Sequence, residues 1–412
     1  MKILHTVESY LPARHGMQEV VTQLSEALVK MGHDVTIATS HDQNRIESTI
    51  NGVKIVDFPI TGNYATGMNG PVETYQDYLL SSDFDIITNF AAQQWATDLM
   101  LPIMNRLKCK KIFVPTGFSA LNQAKYKAYF EGMKVWMKGY DSNVFLSDNY
   151  RDINFAKENG ISNIEIIPNG ASETEFATTE FIDVRRHIGV APSTKLLLSV
   201  GSHTGYKGHD KLIEVFEKAN IPNSALLIIG NVTTSGGPLK SKIKSYLNLF
   251  GLKRSNCSLA CKSMSKIHNK KYTNSTIHIM ELPRATTVNA YKQANLFVLT
   301  SLIECSPIVL FEACAGKTPF LVNDVGNAKE IIKWTEGGKL LPTSFDRNGY
   351  SIVDTSAAAN ILIEVMEDEV QRDSLAAQGH SSFLNKFTWE KIAKRYETLY
   401  LNTLINKAHG NR

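Results

Sequence analysis

The sequence predicts an α/β protein of two doubly wound domains, and three observations carry that prediction. Short apolar runs of strand length alternate with longer segments of helical period along most of the 412 residues. The pattern is interrupted at residues 171–192, where Thr178–Thr179 and Ala191–Pro192 stand, and then restarts, so there are two series rather than one. Length agrees, because roughly 100–200 residues per domain gives two or three domains here.

The first series opens with the apolar run Lys2–Val7 and a glycine-containing turn at Pro12–Gly16. Met17–Met31 then places Val20, Val21, Leu24, Ala27, Leu28 and Met31 at helical spacing, and Gly32 closes the helix. Val35–Thr39, Lys54–Phe58, Ile86–Asn89, Lys111–Val114, Ser142–Leu146 and Ile164–Ile167 read as further strands. Ala120–Gly139 reads as a helix with Tyr126, Phe130, Met133 and Met137 on one stripe and Lys127, Lys134 and Lys138 on another. The second series runs from strand Lys195–Val200 to a helix at His209–Ala219. Strands Ala225–Gly230, Thr276–Met280, Leu296–Thr300 and Pro319–Asn323 follow. Such alternation implies parallel sheets with right-handed crossovers. Residues 231–280 hold nine Lys/Arg and no Asp or Glu, with Gly236-Gly237-Pro238 near the entrance. This stretch reads as a basic insertion at about 231–275, with a helix near Leu239–Phe250. The expected domains are 1–175 and 176–384. A last helix around Trp389–Leu404, within 385–412, is expected to pack back onto the first domain.

Composition excludes several classes. Hydrophobic residues make up 43% and charged residues 20%, which rules out wholesale disorder. No run approaches 18 uninterrupted apolar residues, and the N-terminal apolar segment, broken by His5, Thr6 and Glu8, is too short for a signal-peptide core. Five scattered cysteines suit a reducing cytosol better than a disulfide framework. The protein is therefore expected to be cytoplasmic, with no nucleic acid as partner. The net charge of +4 hides an asymmetry: residues 1–175 hold 15 basic and 20 acidic side chains, and the remainder 29 and 20. A basic second half suits an anionic ligand.

Three local patterns carry phosphate and sugar chemistry. His15 and Gly16 stand where a turn meets a helix N-terminus, a place with free N–H groups and room for an anion. This is not a G-x-G-x-x-G fingerprint, which argues against a nicotinamide dehydrogenase. Gly201 ends a strand, and Lys207 follows in a glycine-flanked loop before a helix, suited to neutralising a diphosphate. The third is Glu304-Cys-Ser-Pro-Ile-Val-Leu-Phe-Glu312, after an apolar strand and opening an apolar helix. Two carboxylates eight residues apart can address two points of an elongated ligand, and the turn between them offers N–H groups to phosphate. An unpartnered buried carboxylate is costly, so Glu312 among apolar residues favours a functional role.

These residues resemble glycosyltransferase family 4, the retaining GT-B glycosyltransferases, over nearly the whole chain. Glu304 and Glu312 match the family's E-x7-E motif, within ECSPIVLFEACAGKTP. ILHTVESYLP, IIPNGASETEF, the segment around Glu330 and FTWEKIAKRYETLY also look like family segments. The resemblance implies a GT-B fold of two facing Rossmann-like domains with an interdomain cleft. It implies Glu312 on the donor ribose, Glu304 near the transferred sugar, and Lys207 on the diphosphate. Gly16, Gly201, Ser202, Ser306 and the backbone at Ile308 and Val309 would complete the donor site. No metal or other cofactor is implied; the donor, a UDP- or GDP-sugar, is a substrate. In two places the chain departs from the family. Ser202 and His203 stand where an arginine usually follows Gly201, and Val-Pro-Thr116-Gly117-Phe118-Ser119 lacks a usual histidine.

The acceptor is expected on the first domain, at His15, Gln94, Trp95, Thr116 and Gly117. A glycan or lipid-linked glycan is implied, in surface-polysaccharide or glycoconjugate assembly. The basic helix Ala120–Gly139 could meet an anionic membrane at its inner face. A nucleotide-sugar 2-epimerase and a non-catalytic sugar-binding descendant are the alternatives. Cys257-x3-Cys261 with His268 does not have the spacing of common zinc sites and leaves a fourth ligand undefined.

Overall fold

The computed structural model describes residues 1–12, 16–231 and 257–409. The chain divides into two compact units, Met1–Gly170 with Trp389–Arg412, and Ala171–Thr388. The crossings fall a few residues from those expected at 175/176 and 384/385. The expected helix at Leu239–Phe250, and His15, lie outside the described residues. Among the described residues, no helix is long and apolar enough to cross a membrane.

The first unit is built on a sheet whose parallel strands lie in the order Ile164–Ile166, Ser142–Phe145, Lys110–Val114, Ile86–Phe90, Lys2–Thr6, Asp34–Ser40 and Val53–Phe58. Thr49–Ile50 adds a short antiparallel edge. The first strand is central because Ile3, Leu4, His5 and Thr6 are all buried on both faces, as a parallel strand requires. The strand order reverses between Lys2–Thr6 and Ile86–Phe90, which makes their C-terminal ends the switch point of the sheet. The helix Trp389–His409 belongs to this unit. It packs along the helix Gly16–Lys30, and its Tyr400 hydroxyl reaches Thr88 Oγ1 at 2.8 Å and His5 Nε2 at 3.3 Å. His5 is a core residue: burial lowers its pKa to about 3, and Nδ1 meets Ser25 Oγ at 2.8 Å.

The expected basic helix is shorter than its periodicity suggests. Thr116, Gly117 and Phe118 all have positive φ, a 3-10 turn follows at Ala124–Tyr126, and the α-helix spans Lys127–Gly139. Its apolar stripe, Tyr126, Phe130, Met133 and Met137, is buried in the first unit's core. The stripe is used for packing and cannot enter a bilayer, which corrects that part of the membrane expectation.

The second unit carries a six-stranded parallel sheet in the order Ser275–Met280, Ser224–Ile229, Lys195–Val200, Leu296–Leu299, Phe320–Asn323 and Gly338–Leu341. The last strand, of sequence Gly-Lys-Leu-Leu, was not expected, because a four-residue edge opening on glycine has little strand signal. The described part of the expected insertion is the helix Ser258–Lys271, lying between strands Ser224–Ile229 and Ser275–Met280. It is therefore an ordinary crossover helix rather than an excursion from the fold. The ends of the unit meet: Ala171 pairs with Thr388, and the Ala171 N–H donates to Phe387 O at 3.0 Å.

Candidate functional site

The strand order of the second unit reverses between Lys195–Val200 and Leu296–Leu299. In open α/β sheets, ligands bind outside the C-terminal ends of strands at such a reversal. The loops leaving those two ends carry Lys207 and Glu304, 97 residues apart in sequence, and Lys207 Nζ lies 2.6 Å from Glu304 Oε1. Both side chains are mostly covered, at 28% and 12% exposure, so the pair is screened less than a surface pair.

The loops are held together by backbone contacts. The Leu302 N–H donates to Tyr206 O at 2.8 Å, and Thr300 Oγ1 donates to Gly208 O at 2.8 Å. Gly208 has φ +65° and lies so close to Thr300 O that a Cβ would collide with it. Glycine is therefore required beside Lys207 on two counts. On the other side, the Asn327 N–H donates to Cys305 O at 3.0 Å, and a Cβ on Gly326 (φ +56°) would come within 2.5 Å of the same oxygen. The Glu304–Pro307 turn is thus clamped between the Lys207 loop and the loop that leads into the Ala328–Thr335 helix.

Ser306 and Pro307 lead into the helix Ile308–Ala315, which begins without a side-chain cap. Its first N–H groups, at Ile308 and Val309, are among those a helix cannot satisfy internally, and they form the positive end of its dipole. Glu312 lies on this helix and is 4% exposed. Its carboxylate is paired with Arg284, Nη2 to Oε1 2.6 Å, and Arg284 also reaches Glu175 at 2.7 Å. Burial pulls the Arg284 guanidinium pKa down, but Glu312 and Glu175 outweigh that and hold it well above its ordinary value. Arg284 escaped sequence reasoning. Its only signal is its place just after Pro283 at a helix start, and its two partners are 28 and 109 positions away.

The second unit therefore brings Lys207, Glu304, Ser306, Ile308, Val309 and Glu312 onto one end of its sheet. Gly201, ending its first strand, packs on the Lys207 side chain, where a Cβ would be 3.2 Å from Cγ. Ser202 is half-buried. His203 does not substitute for the family's arginine: it is 1% exposed and turned into a cluster with His209, Cys257 and Cys261.

In the first unit, Gly16 opens the helix Gly16–Lys30, and a Cβ there would meet nothing within 4 Å. The loop after Ile86–Phe90 crosses the switch point through Gln94, whose Oε1 accepts from the Glu8 N–H at 2.7 Å. The expected pocket role of Trp95 is corrected. The indole is fully buried against Phe58 and Tyr75, with Nε1 donating to Ser40 Oγ at 2.8 Å, so it supports the loop from behind. Backbone strain gathers here: Ala91, Gln93, Thr116 and Phe118 all have positive φ without being glycine, in loops after two adjacent strands. Two buried carboxylates brace these loops. Asp152 Oδ2 accepts from the Gly117 N–H at 2.8 Å, and Asp98 accepts from the Tyr64 N–H and the Tyr129 hydroxyl. Burial raises the pKa of each to about 6 against these hydrogen bonds.

With that geometry established, similarity to known proteins defines the class. The sequence matches the family described as Glycosyl transferases group 1 over residues 181–381 and that described as Glycosyltransferase Family 4 over 14–175. The chain belongs to glycosyltransferase family 4, and its fold is GT-B. It is 24% identical to an uncharacterised glycosyltransferase of Methanocaldococcus jannaschii, over 97% of this chain and 98% of that one. Its structure resembles sucrose-phosphate synthase from Thermosynechococcus elongatus (TM-score 0.73, 17% identity, 98% of this chain and 99% of that one). It also resembles Anabaena HepE in complex with UDP-glucose (TM-score 0.67, 14% identity, 97% and 99%).

Proposed function

We propose that this glycosyltransferase is retaining and moves a sugar from a UDP- or GDP-sugar to a hydroxyl of a glycan or lipid-linked glycan, in surface-polysaccharide or glycoconjugate assembly. The observation that carries the donor reading is the meeting of Lys207 and Glu304 at the second unit's switch point, beside an uncapped helix N-terminus. A nucleoside diphosphate leaves with negative charge, and catalysis depends on stabilising that charge as it develops. Lys207 and the N–H groups of Ile308 and Val309 supply that stabilisation, so the reading needs no metal in the reaction. A diphosphate on Lys207 competes with Glu304 for the ammonium, and Glu304 is then released towards the sugar hydroxyls. Glu312, fixed by Arg284, accepts from the ribose hydroxyls with its remaining lone pairs. HepE, described with UDP-glucose, supports a nucleotide-sugar donor. The acceptor is assigned to the strained loops Ala91–Trp95 and Thr116–Phe118 of the first unit.

The test is turnover of UDP- and GDP-sugars by purified protein, with product anomeric configuration read by NMR. Lys207→Ala and Glu304→Gln are each expected to lower kcat by about 10²–10³, the range for removing one stabilising group from a closed site. Unchanged turnover in both variants, or inversion of the anomeric centre, would overturn the reading.

A further inference from the structure

His203, His209, Cys257 and Cys261 come together in the second unit with ligand atoms all within 4.8 Å of one another. Their exposures are 1%, 1%, 4% and 0%. The two imidazole Nδ1 atoms face each other at 3.2 Å, and Cys257 Sγ lies 3.4 Å from His203 Nδ1 and 4.0 Å from His209 Nδ1. Each ring's Nε2 is buried without a partner among the described residues, so the only polar company of these imidazoles is one another and the thiol. What converges on one buried point is the two Nδ1 atoms and the Cys257 thiol, with Cys261 beside them.

We propose that these four side chains form a closed, tetrahedral zinc site that fastens the Lys207 loop to the crossover helix Ser258–Lys271. A tetrahedral ion with bonds of roughly 2.0–2.1 Å to nitrogen and 2.3 Å to sulfur holds two nitrogens roughly 3.3 Å apart and nitrogen and sulfur roughly 3.6 Å apart. The observed 3.2, 3.4 and 4.0 Å need only small adjustments to meet this. Two sulfur and two nitrogen donors in a tetrahedron select zinc among the common divalent ions. Two thiolates neutralise the ion, so the complex carries no net charge into the core. Cys257 and Cys261 share one face because they stand four residues apart at the start of a helix.

His203 and His209 bracket Lys207, so the ion would fix both ends of the loop that presents it. His268 is not a ligand: its ring nitrogens are taken by Glu217 at 3.2 Å and Ser275 at 3.0 Å. The sequence showed the cysteine pair but offered the wrong histidine, because the right ones lie about fifty positions upstream.

The zinc assignment does not depend on the donor reading, and its test reads metal rather than turnover. The full chain is purified through a histidine-free tag, and zinc is measured by mass spectrometry. One zinc per chain is expected in the wild type, in Cys109→Ser and in His268→Ala, and none in a Cys257→Ser/Cys261→Ser double variant. Because that variant can fail to fold, demetallated wild type is also titrated with cobalt(II). The bands of a tetrahedral site with two thiolates are expected, along with a rise in melting temperature on adding zinc. Wild type that neither carries zinc nor takes up cobalt, zinc retained by the double variant, or a Cys257–Cys261 disulfide in freshly purified protein would each overturn the proposal.

Discussion

At the residue scale, the buried acids give the sharpest expectations. Asp152 has a pKa raised to about 6 by burial, against roughly 4 in an unfolded chain, so the folded protein binds its proton more tightly. It therefore stabilises the fold most below about pH 4, and that contribution is lost as pH rises through 6. Asp152→Asn keeps an acceptor for the Gly117 N–H and removes the titration. The difference in denaturant midpoint between wild type and variant is expected to move in the variant's favour from pH 4 to 6.5. Arg284 gives the opposite kind of prediction. Arg284→Ala leaves Glu312 and Glu175 facing each other without a cation, and breaking a buried pair costs about 3 kcal/mol or more. Because Arg284 is 28% exposed, the low end of that range is expected in chemical denaturation. Arg284→Lys should restore little, since one ammonium cannot reproduce a guanidinium fork between two carboxylates. Residue identity made Glu304, Glu312 and Lys207 legible, because charge in an apolar or glycine-flanked setting is a local signal. Arg284 and the Trp95 environment were not legible, because their meaning comes from partners far away in sequence.

At the element scale, loops rather than helices or strands decide the site. The strands were readable because buried parallel strands are continuous apolar runs, as in Lys195–Val200 and Leu296–Leu299. The helix Lys127–Gly139 was readable in its stripe but not in its start, because three consecutive positive-φ residues delay it in a way that composition does not announce. The four-residue edge Gly338–Leu341 and the role of Ser258–Lys271 as a crossover were not readable. The first lacks length, and the second was masked by its lysines. Gly208 links the loop to its function. Gly208→Ala must move the backbone away from Thr300 O, and it strains a left-handed residue besides. The expected result is a loss in kcat/KM beyond what the fall in folded fraction at the assay temperature explains, since the displaced segment carries Lys207. A loss in kcat/KM no greater than the loss of folded fraction would mean that the glycine serves folding alone.

At the scale of the whole molecule, the chain leaves the first unit at Gly170 and returns to it at Trp389. The returning helix completes the first unit's core: Ile392, Ala393, Tyr396 and Tyr400 are all buried, and Tyr400 reaches the central strand through His5. A chain stopped after Thr388 is therefore expected to lose the first unit's cooperative unfolding while keeping that of the second, seen as loss of one of two transitions in calorimetry. The sequence placed this helix around Trp389–Leu404, where FTWEKIAKRYETLY resembles the family's returning segment, but its partners became visible only once the fold placed residues 5 and 400 together. The pairing of Ala171 with Thr388 gives this layout a temporal meaning. During synthesis the second unit, from Ala171 to Thr388, is made as one uninterrupted stretch and leaves the ribosome before the segment from Trp389 that completes the first. Domains usually mature from the N-terminus onward; here the first unit waits for the segment that begins at Trp389, and a nascent chain arrested so that residues up to Thr388, but not beyond, have left the exit tunnel should hold a folded second unit beside an incomplete first.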